Sequence, residues 1–311
     1  MKRAILIAML VLAMPSLAFA AREFEKVGTI GAQFLKIGVG ARAAAMGSAF
    51  ASVADDASAV YWNPAGVARI TRNVIAINHC DWAADISFSQ AAYIFDPRYI
   101  PGMMALHVRS LYMPEQPVSW VEKPEGTGEK FDNGDVAASL TYARSLTDKF
   151  SAGITFNYIN STLADQHAQA YAFDFGTLYD TGFQSLRIGM AIQNIGTEME
   201  FIERTVKLPT MFRVGMSMNL YQDEQFRVLS AVDFSHPPDN NERANVGTEV
   251  GYKDFLYLRA GYGFLSDEEG VSAGLGFKVP TSLNSEASVG YAFSDMGNLG
   301  AIHRISIDFR F

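Results

Sequence analysis

The residue types that perform catalysis or bind metals are few and scattered in this 311-residue chain. The single cysteine, Cys80, excludes an internal disulfide and cannot form a metal site alone. The five histidines are far apart and lack the spacing of metal ligands, and no nucleophile elbow stands out. Glu249 is a lone acid among small residues. The sequence therefore predicts no enzyme, no cofactor and no metal site.

A second set of ionisable residues alternates with apolar residues in extended segments, so that the charges share one face of each segment. If that face lines the inside of a barrel, the charges must pair with one another, with an inner segment or with water. We interpret them as a lumen charge network that braces the barrel, in preference to a selective pathway. This predicted network comprises Arg109, Arg187, Arg213, Arg227, Asp233, Glu249, Arg259, Arg304 and Asp308.

The elements that must position these side chains are strands, because the hydrophobic pattern from Arg72 onward has a period of two. An even number of alternating segments of about ten residues is typical of an outer-membrane barrel. The sequence thus predicts an all-β fold, a 14-stranded antiparallel transmembrane β-barrel. The predicted strands are 72–81, 85–95, 102–111, 134–145, 149–160, 168–179, 185–195, 210–220, 225–235, 243–252, 255–265, 270–279, 285–293 and 301–311.

The lengths of the connections between these strands give an independent test. Every second connection is tight, whereas the longest ones, such as Tyr112 to Asn133, all fall between the tight ones. Short periplasmic turns and longer external loops produce this parity in a membrane barrel, whereas a soluble β-sandwich does not require it. We therefore expect a periplasmic carboxyl terminus. The long loop after Tyr112 is either a lid or partner contact, or a solvated acidic loop.

The amino-terminal region differs from the rest of the chain. Lys2 and Arg3 precede a short apolar run, and Ala18-Phe19-Ala20 forms a small-residue cleavage site, so residues 1–20 are predicted to be a secretory signal peptide. Residues 21–71, rich in small residues, are predicted to form a hatch inside the barrel of residues 72–311. The net charge of −8 argues against a nucleic-acid partner.

The last predicted strand ends on an aromatic residue. Ile305, Ile307, Phe309 and Phe311 share one face, which we assign to lipid, and polar residues share the other. These four residues resemble the terminal-strand signal by which outer-membrane barrels are recognised for insertion. We therefore expect the barrel-assembly machinery and the lipid of a Gram-negative-type outer membrane as partners.

Between these regions, the sequence GARAAAMGSAFASVADDASAVYWNPAGVARI resembles the amino-terminal signature of the PorV/PorQ family, within the broader FadL-like outer-membrane proteins. The pieces that match best contain Asp55, Asp56 and Ser58, then Asn63, Pro64 and Gly66. The resemblance covers the layout of the whole chain. It implies a hatch folded inside the barrel, with the Asn-Pro-Ala piece helping to seat it.

The same resemblance implies two functions. The preferred one is a scaffold or shuttle linked to type IX-like secretion, with a translocon or an exported protein carrying a carboxyl-terminal signal domain as partner. The alternative is passive transport of long-chain fatty acids or other small hydrophobic compounds. A purely structural barrel is a third possibility. Short polar loops and a charged lumen depart from the pattern of fatty-acid channels and favour the first function over the second.

Overall fold

The computed structural model describes residues 30–202, 204–265, 269–282 and 284–311. The predicted signal peptide, residues 1–20, lies outside the described residues, as does the start of the predicted hatch. Among the described residues, no helix is both long enough and apolar enough to cross a membrane.

Extended strands dominate the described part of the chain, as its alternating hydrophobic pattern requires. They are β1 (Val74–Asp81), β2 (Ser87–Phe95), β3 (Met103–Pro117), β4 (Lys130–Ser145), β5 (Phe150–Leu163), β6 (Gln166–Asp180), β7 (Arg187–Gly196), β8 (Met199–Phe201), β9 (Arg204–Val206), β10 (Met211–Gln222), β11 (Phe226–His236), β12 (Arg243–Tyr252), β13 (Leu256–Phe264), β14 (Val271–Pro280), β15 (Glu286–Asp295) and β16 (Ala301–Arg310).

Fourteen of these strands close into one barrel within the described residues, which confirms the predicted fold class. Every neighbouring pair is antiparallel, β10 follows β7 around the wall, and β16 closes the barrel against β1. Strands β8 and β9 form a separate hairpin. Along β1 the burial alternates strictly, with Val74 and Ala76 buried and Ile75 and Ile77 exposed. The apolar outer face is the one that a bilayer covers.

The two ends of the barrel differ in their connections. We call the end that carries Phe311 the turn end, because the connections there are short: 96–102, 146–149, 181–186, 223–225, 253–255 and 281–285. The opposite end, the loop end, carries the longest connection, residues 197–210, which contains the β8–β9 hairpin. The arrangement follows the predicted parity of connections.

Strands β3 and β4 differ from the prediction, since they continue well into the region predicted as a loop after Tyr112. Pro114 and Pro117 suggested a break in the strand pattern. Instead, the pairing shifts register between Met113 and Gln116, and this irregularity accommodates the prolines while the hairpin continues to Pro117 and Lys130.

Residues 31–71, which we call the inner segment, lie within the barrel. They contain two short α-helices, α1 (Ala41–Ala45) and α2 (Ala59–Trp62), and 3-10 turns at Gln33–Lys36 and Pro64–Arg69. Helix α1 packs on β13 to β16, whereas Pro64–Arg69 packs on β3 to β6. The inner segment therefore contacts opposite sides of the wall, and its buried side chains form nearly half of the core.

The inner segment runs from one end of the barrel to the other. At the loop end, Ile30 and Gly31 pair with Lys207. At the turn end, Asn73 exchanges two backbone hydrogen bonds with Phe311, at 3.1 and 2.9 Å. The described chain thus enters the lumen at the loop end and leaves it beside the carboxyl terminus.

Candidate functional site in the lumen

Arg42, on helix α1, links the inner segment to the barrel wall. Its guanidinium lies 2.5 Å from Asp55 Oδ1 and 3.1 Å from Asp56 Oδ2, both in the inner segment. It also makes two hydrogen bonds to Glu249 on β12, at 2.7 and 2.9 Å. A two-bond contact of this kind fixes the orientation of the guanidinium as well as its position. Arg42 therefore fixes the turn at Asp55 against the wall.

Glu249 is the centre of an ionic cluster in the lumen that includes three arginines. Its side chain is fully buried and accepts hydrogen bonds from Arg227 at 3.1 Å and Arg259 at 2.7 Å, in addition to Arg42. One carboxylate thus faces three guanidinium groups, and Asp55 and Asp56 supply the remaining negative charge. The predicted network residues Arg227, Glu249 and Arg259 do meet, and they meet around a residue of the inner segment.

The carboxylates around Arg42 determine its ionisation. Burial alone would lower the pKa of Arg42, but the neighbouring Glu249, Asp55 and Asp56 carboxylates outweigh burial and raise this pKa well above its ordinary value. Burial likewise would raise the pKa of Asp55, but the Arg42 guanidinium lowers it overall. Both groups therefore stay charged at neutral pH.

A cavity of about 280 Å³ adjoins this cluster and opens toward the turn end. Its wall includes Arg42, Arg227, Asp308 and Arg310, and Asp254 in the β12–β13 turn. Asp308 accepts a hydrogen bond from the Ser288 hydroxyl at 3.2 Å. Since charged side chains of both signs line the cavity, its surface suits water and polar groups rather than an acyl chain.

The second motif of the inner segment, Asn63-Pro64-Ala65-Gly66, contacts the opposite side of the wall. Asn63 Nδ2 donates to the carbonyls of Ala51 and Thr177, at 2.8 and 3.0 Å, and Asn63 Oδ1 accepts from Ala65 N at 3.1 Å. The side chain has no exposed surface. Asn63 therefore caps the turn that begins at Pro64 and joins it to β6.

Glycines line the wall at the points where the inner segment lies closest to it. A Cβ on Gly153 would lie 2.6 Å from Ala65 N, and a Cβ on Gly176 would lie 2.8 Å from Pro64 Cδ, so neither position has room for a side chain. The same close approach to the inner segment recurs at Gly189, Gly247, Gly261 and Gly274. The glycine-rich inner face thus lets the backbone of the inner segment lie directly on the strands.

Ser58 belongs to the first motif of the inner segment, which also contains Asp55 and Asp56, and Gly66 ends the second. Asp56 Oδ1 accepts hydrogen bonds from the Ser58 amide at 2.9 Å and from its hydroxyl at 2.6 Å, immediately before helix α2. A Cβ on Gly66 would overlap the Ala54 carbonyl and lie 2.9 Å from Ala59 Cβ. The motif residues therefore shape the inner segment itself, in addition to attaching it to the wall.

The other predicted network residues face inward but form separate contacts. Arg109 lies 3.5 Å from Asn157 Oδ1, Arg213 donates to Gln193 Oε1 at 3.0 Å, and Asp233 accepts from the amides of Phe50 and Ala51 at 2.8 and 2.6 Å. Arg187 donates to Asp180 at 3.0 Å, and Arg304 donates to the Ser294 hydroxyl at 3.3 Å. The structure thus divides one predicted network into several local groups.

The inner segment is also fastened at the loop end. Lys36 Nζ lies 3.0 and 2.9 Å from the two carboxylate oxygens of Asp239, and Gln33 Nε2 donates to the same carboxylate at 2.9 Å. Burial would raise the pKa of Asp239, but the hydrogen bonds from Gln33 and Lys36 lower it overall. We call these three residues the latch. The buried Met199 and Leu208, in the 197–210 connection, join the same core.

Several functional contacts were not identified from the sequence. Arg42 is the only charged residue between Gly38 and Ala54. A single charge in such an apolar stretch indicates a buried ion pair, and this was the signal that could have identified it. The latch residues carry no such signal, because Lys36 and Asp239 are 203 positions apart.

Residues 270–274 match the pattern Gly-x-Ser-x-Gly of a nucleophile elbow, which is a sharp turn between a strand and a helix. Ser272 instead lies within strand β14 and donates to the Ser294 hydroxyl at 3.3 Å, so these residues form no nucleophile elbow.

The apolar residues of the predicted assembly signal all lie on the outer face of the barrel. Ile305, Ile307, Phe309 and Phe311 are exposed, whereas Arg304 and Ser306 are buried toward the lumen. Within the described ranges, no group of three or more His, Cys, Asp or Glu side chains is placed to hold a metal ion. The recognition of Phe311 by assembly machinery remains a prediction.

Comparison with known proteins gives one family and one fold. A family model described as the type IX secretion system protein PorV matches residues 20–237. Among solved structures, the Pseudomonas putida toluene transporter TodX is 12% identical, with a TM-score of 0.59 over 88% of this chain and 97% of that one. The Ralstonia pickettii toluene transporter TbuX is 13% identical, with a TM-score of 0.57 over 88% and 97%.

A Pseudomonas aeruginosa FadL homologue is similar to the same extent, at 10% identity and a TM-score of 0.55 over 88% of this chain and 98% of that one. At such identities the likeness establishes the FadL-like barrel fold alone. No curated protein sequence matches the chain.

Proposed function

This outer-membrane β-barrel belongs to the PorV family of type IX secretion system proteins, and we propose that it is a scaffold that docks exported proteins, or the translocon that releases them, at the loop end. In this proposal the turn end and Phe311 face the periplasm, and the loop end faces the cell exterior. The inner segment acts as a permanent hatch, within a hatch region of residues 21–71 that follows a signal peptide of residues 1–20.

The observation that carries the proposal is the filled lumen at the level of Asn63. The side chains of Asn63 and Pro64 are buried, and the backbone around them lies directly on Gly153 and Gly176. A substrate that crosses this level would have to displace the hydrogen bonds to Ala51 and Thr177. A barrel filled in this way is better suited to present surfaces at its ends than to conduct a solute.

The charged groups fit a bracing role. The three guanidiniums around Glu249 hold strands β11, β12 and β13 together with helix α1. We propose that this cluster, together with the contacts of Arg109, Arg187, Arg213, Asp233, Arg304 and Asp308, keeps the barrel and hatch in one arrangement. The cavity beside Arg42 is lined by charged groups, which gives no support to passage of a fatty acid or another apolar compound.

The proposal is tested by tagged purification from the native outer membrane with quantitative mass spectrometry. We expect enrichment of identified exported proteins that carry a carboxyl-terminal signal domain, or of a large translocon barrel. A deletion strain should also accumulate those exported proteins in the periplasm. Normal surface display in the deletion strain would overturn the docking function. Reduced uptake of labelled long-chain fatty acid, with normal display, would instead support the transport alternative.

A further inference from the structure

The β3–β4 hairpin rises above all its neighbours at the loop end. Pairing of β3 with β2 ends at Tyr112 and Ser87, and pairing of β4 with β5 ends at Asn133 and Leu163. Beyond these pairs, the Asp132 carbonyl still accepts from Ala164 N at 3.0 Å, and residues 113–131 have no neighbouring strand on either side. We call residues 113–132 the free hairpin.

The free hairpin extends its tip past the neighbouring strands. Tyr112 is exposed on the outer face, and β3 continues five residues past it to Pro117 before the tip begins. At about 3.3 Å per residue this strand portion alone extends roughly 16 Å, and somewhat less in height because barrel strands are tilted. The tip therefore projects beyond the last paired residues of β2 and β5.

The tip is ordered by its own backbone. Trp120 and Lys123 exchange two backbone hydrogen bonds, at 3.3 and 2.9 Å, and Val118 pairs with Glu129 at 2.9 Å and with Thr127 at 2.8 Å. This turn projects two large apolar side chains, since Trp120 is 66% exposed and Val121 is fully exposed. An ordered turn that carries an exposed tryptophan costs little entropy on binding and is typical of an interface anchor.

The charge around the tip is acidic. The free hairpin contains five carboxylates, Glu115, Glu122, Glu125, Glu129 and Asp132, against two lysines, Lys123 and Lys130. One lysine is already paired, because Lys130 Nζ lies 3.2 Å from Glu115 Oε2. Glu122 and Glu125, which flank the apolar tip, are exposed, and so is Lys123 between them. The free hairpin has a net charge of −3 (two lysines against five carboxylates), so its apolar anchor lies inside a rim that is acidic overall.

We propose that the free hairpin is the docking element for the exported protein, and that its partner surface is an apolar pocket rimmed by lysine or arginine. This inference rests on the proposed function and names the surface and the partner chemistry. Complementary charge speeds encounter and selects the partner, while the buried aromatic anchor supplies most of the affinity. A second acidic copy of the tip would be repelled by the same rim.

The experiment uses the full barrel in detergent or nanodiscs and, as probe, a purified carboxyl-terminal signal domain from an exported protein of the same organism. We expect Trp120→Ala to raise the dissociation constant roughly 30-fold, because a hot-spot anchor contributes at least about 2 kcal/mol to binding. Trp120→Phe should recover part of this loss. The double variant E122K/E125K should slow association about tenfold at low salt and much less at high salt. Asp165→Lys, at the exposed β5–β6 turn, is the matched control.

A photo-crosslinker at Val121 provides a readout that does not depend on these variants. It should capture the signal domain, whereas the same group at Ile202, another exposed apolar residue at the loop end, should not. Capture from Ile202 alone, or unchanged affinity in both Trp120→Ala and E122K/E125K, would overturn the docking surface and leave the scaffold function standing. Crosslinks from Val121 only to lipid or to a second copy of the chain would overturn it as well. If no variant or wild-type barrel binds any signal domain, the scaffold function itself fails.

Discussion

The inner segment is attached to the two sides of the barrel by different means. On the β11–β14 side, Arg42 makes charged contacts with Glu249, and a cavity of about 280 Å³ adjoins them. On the β5–β6 side, Asn63 makes neutral hydrogen bonds, and the backbone lies directly on glycines. Close packing needs only matching shapes, whereas a cluster of buried charges also needs partners for every ion. The charged side should therefore be the more sensitive to loss of one group.

Glu249→Ala should have the largest effect, because it leaves the guanidiniums of Arg227 and Arg259 without their carboxylate partner and beside the charged Arg42. We expect a loss of about 3–5 kcal/mol in the free energy of unfolding, measured by urea titration of the detergent-folded barrel. Glu249→Gln retains the size and some hydrogen bonding, and it should lose less. If Glu249→Ala cost no more than Asn63→Ala, the contrast between the charged and neutral sides would be wrong.

Asn63→Ala should destabilise the barrel by about 2 kcal/mol, because two buried carbonyls and one amide lose their partner. The same urea titration measures the change. Asn284→Ala, at an exposed turn, is the matched control and should be close to neutral. Equal stability of the Asn63 and Asn284 variants would show that close packing alone, without the Asn63 hydrogen bonds, holds the inner segment on the β5–β6 side.

Gly176→Ala tests the shape of the neutral side directly. The added methyl group would overlap Asn63 and Pro64, so we expect a loss of about 1–3 kcal/mol. Gly290→Ala, whose Cβ would lie 3.4 Å from Ala41 Cβ, should be tolerated. In the Asn63→Ala background the cost of Gly176→Ala should fall, since the obstructing side chain is gone. Strict additivity of the two changes would contradict direct contact.

Asp239→Asn should have the smallest effect, confined to the latch at the loop end. We expect trypsin to cleave after Lys36 about tenfold faster at pH 8, because a charged hydrogen bond contributes about 1.5 kcal/mol. Glu242→Gln in the same connection is the control. Because the pKa of Asp239 is lowered, the latch is complete above about pH 4 and is lost as the pH falls through the lowered value. Identical cleavage rates in both variants would show that Asp239 does not hold the inner segment at the loop end.

The alternation of apolar and polar residues was sufficient to predict the wall. Strands β12 and β16 occur almost at the predicted residues, because each has one face toward lipid and one toward the lumen. The free hairpin was missed for a physical reason, since Pro114 and Pro117 lower strand propensity while the cross-strand partners Phe131 and Lys130 restore the pairing.

The candidate site was less predictable than the wall. Alternation placed Glu249 and Arg259 on the lumen face, but their meeting with Arg42 depends on how the inner segment lies along the barrel. That path is determined by contacts between residues about 200 positions apart, which a local pattern does not contain. Asn63 was singled out by resemblance, and its bonds to Ala51 and Thr177 are visible only in the folded chain.

The pairing of Asn73 with Phe311 has a consequence for the order of assembly. Strands β1 and β16 form the seam of the barrel, and the inner segment leaves the lumen directly beside that seam. Since the segment enters at the loop end and leaves at the turn end, it cannot be inserted sideways once the seam has closed. Assembly therefore either arranges the inner segment on an open sheet before the strands close around it, or threads the segment lengthwise from the turn end. In both routes the last residues of the chain complete the wall and hold the end of the segment beside it.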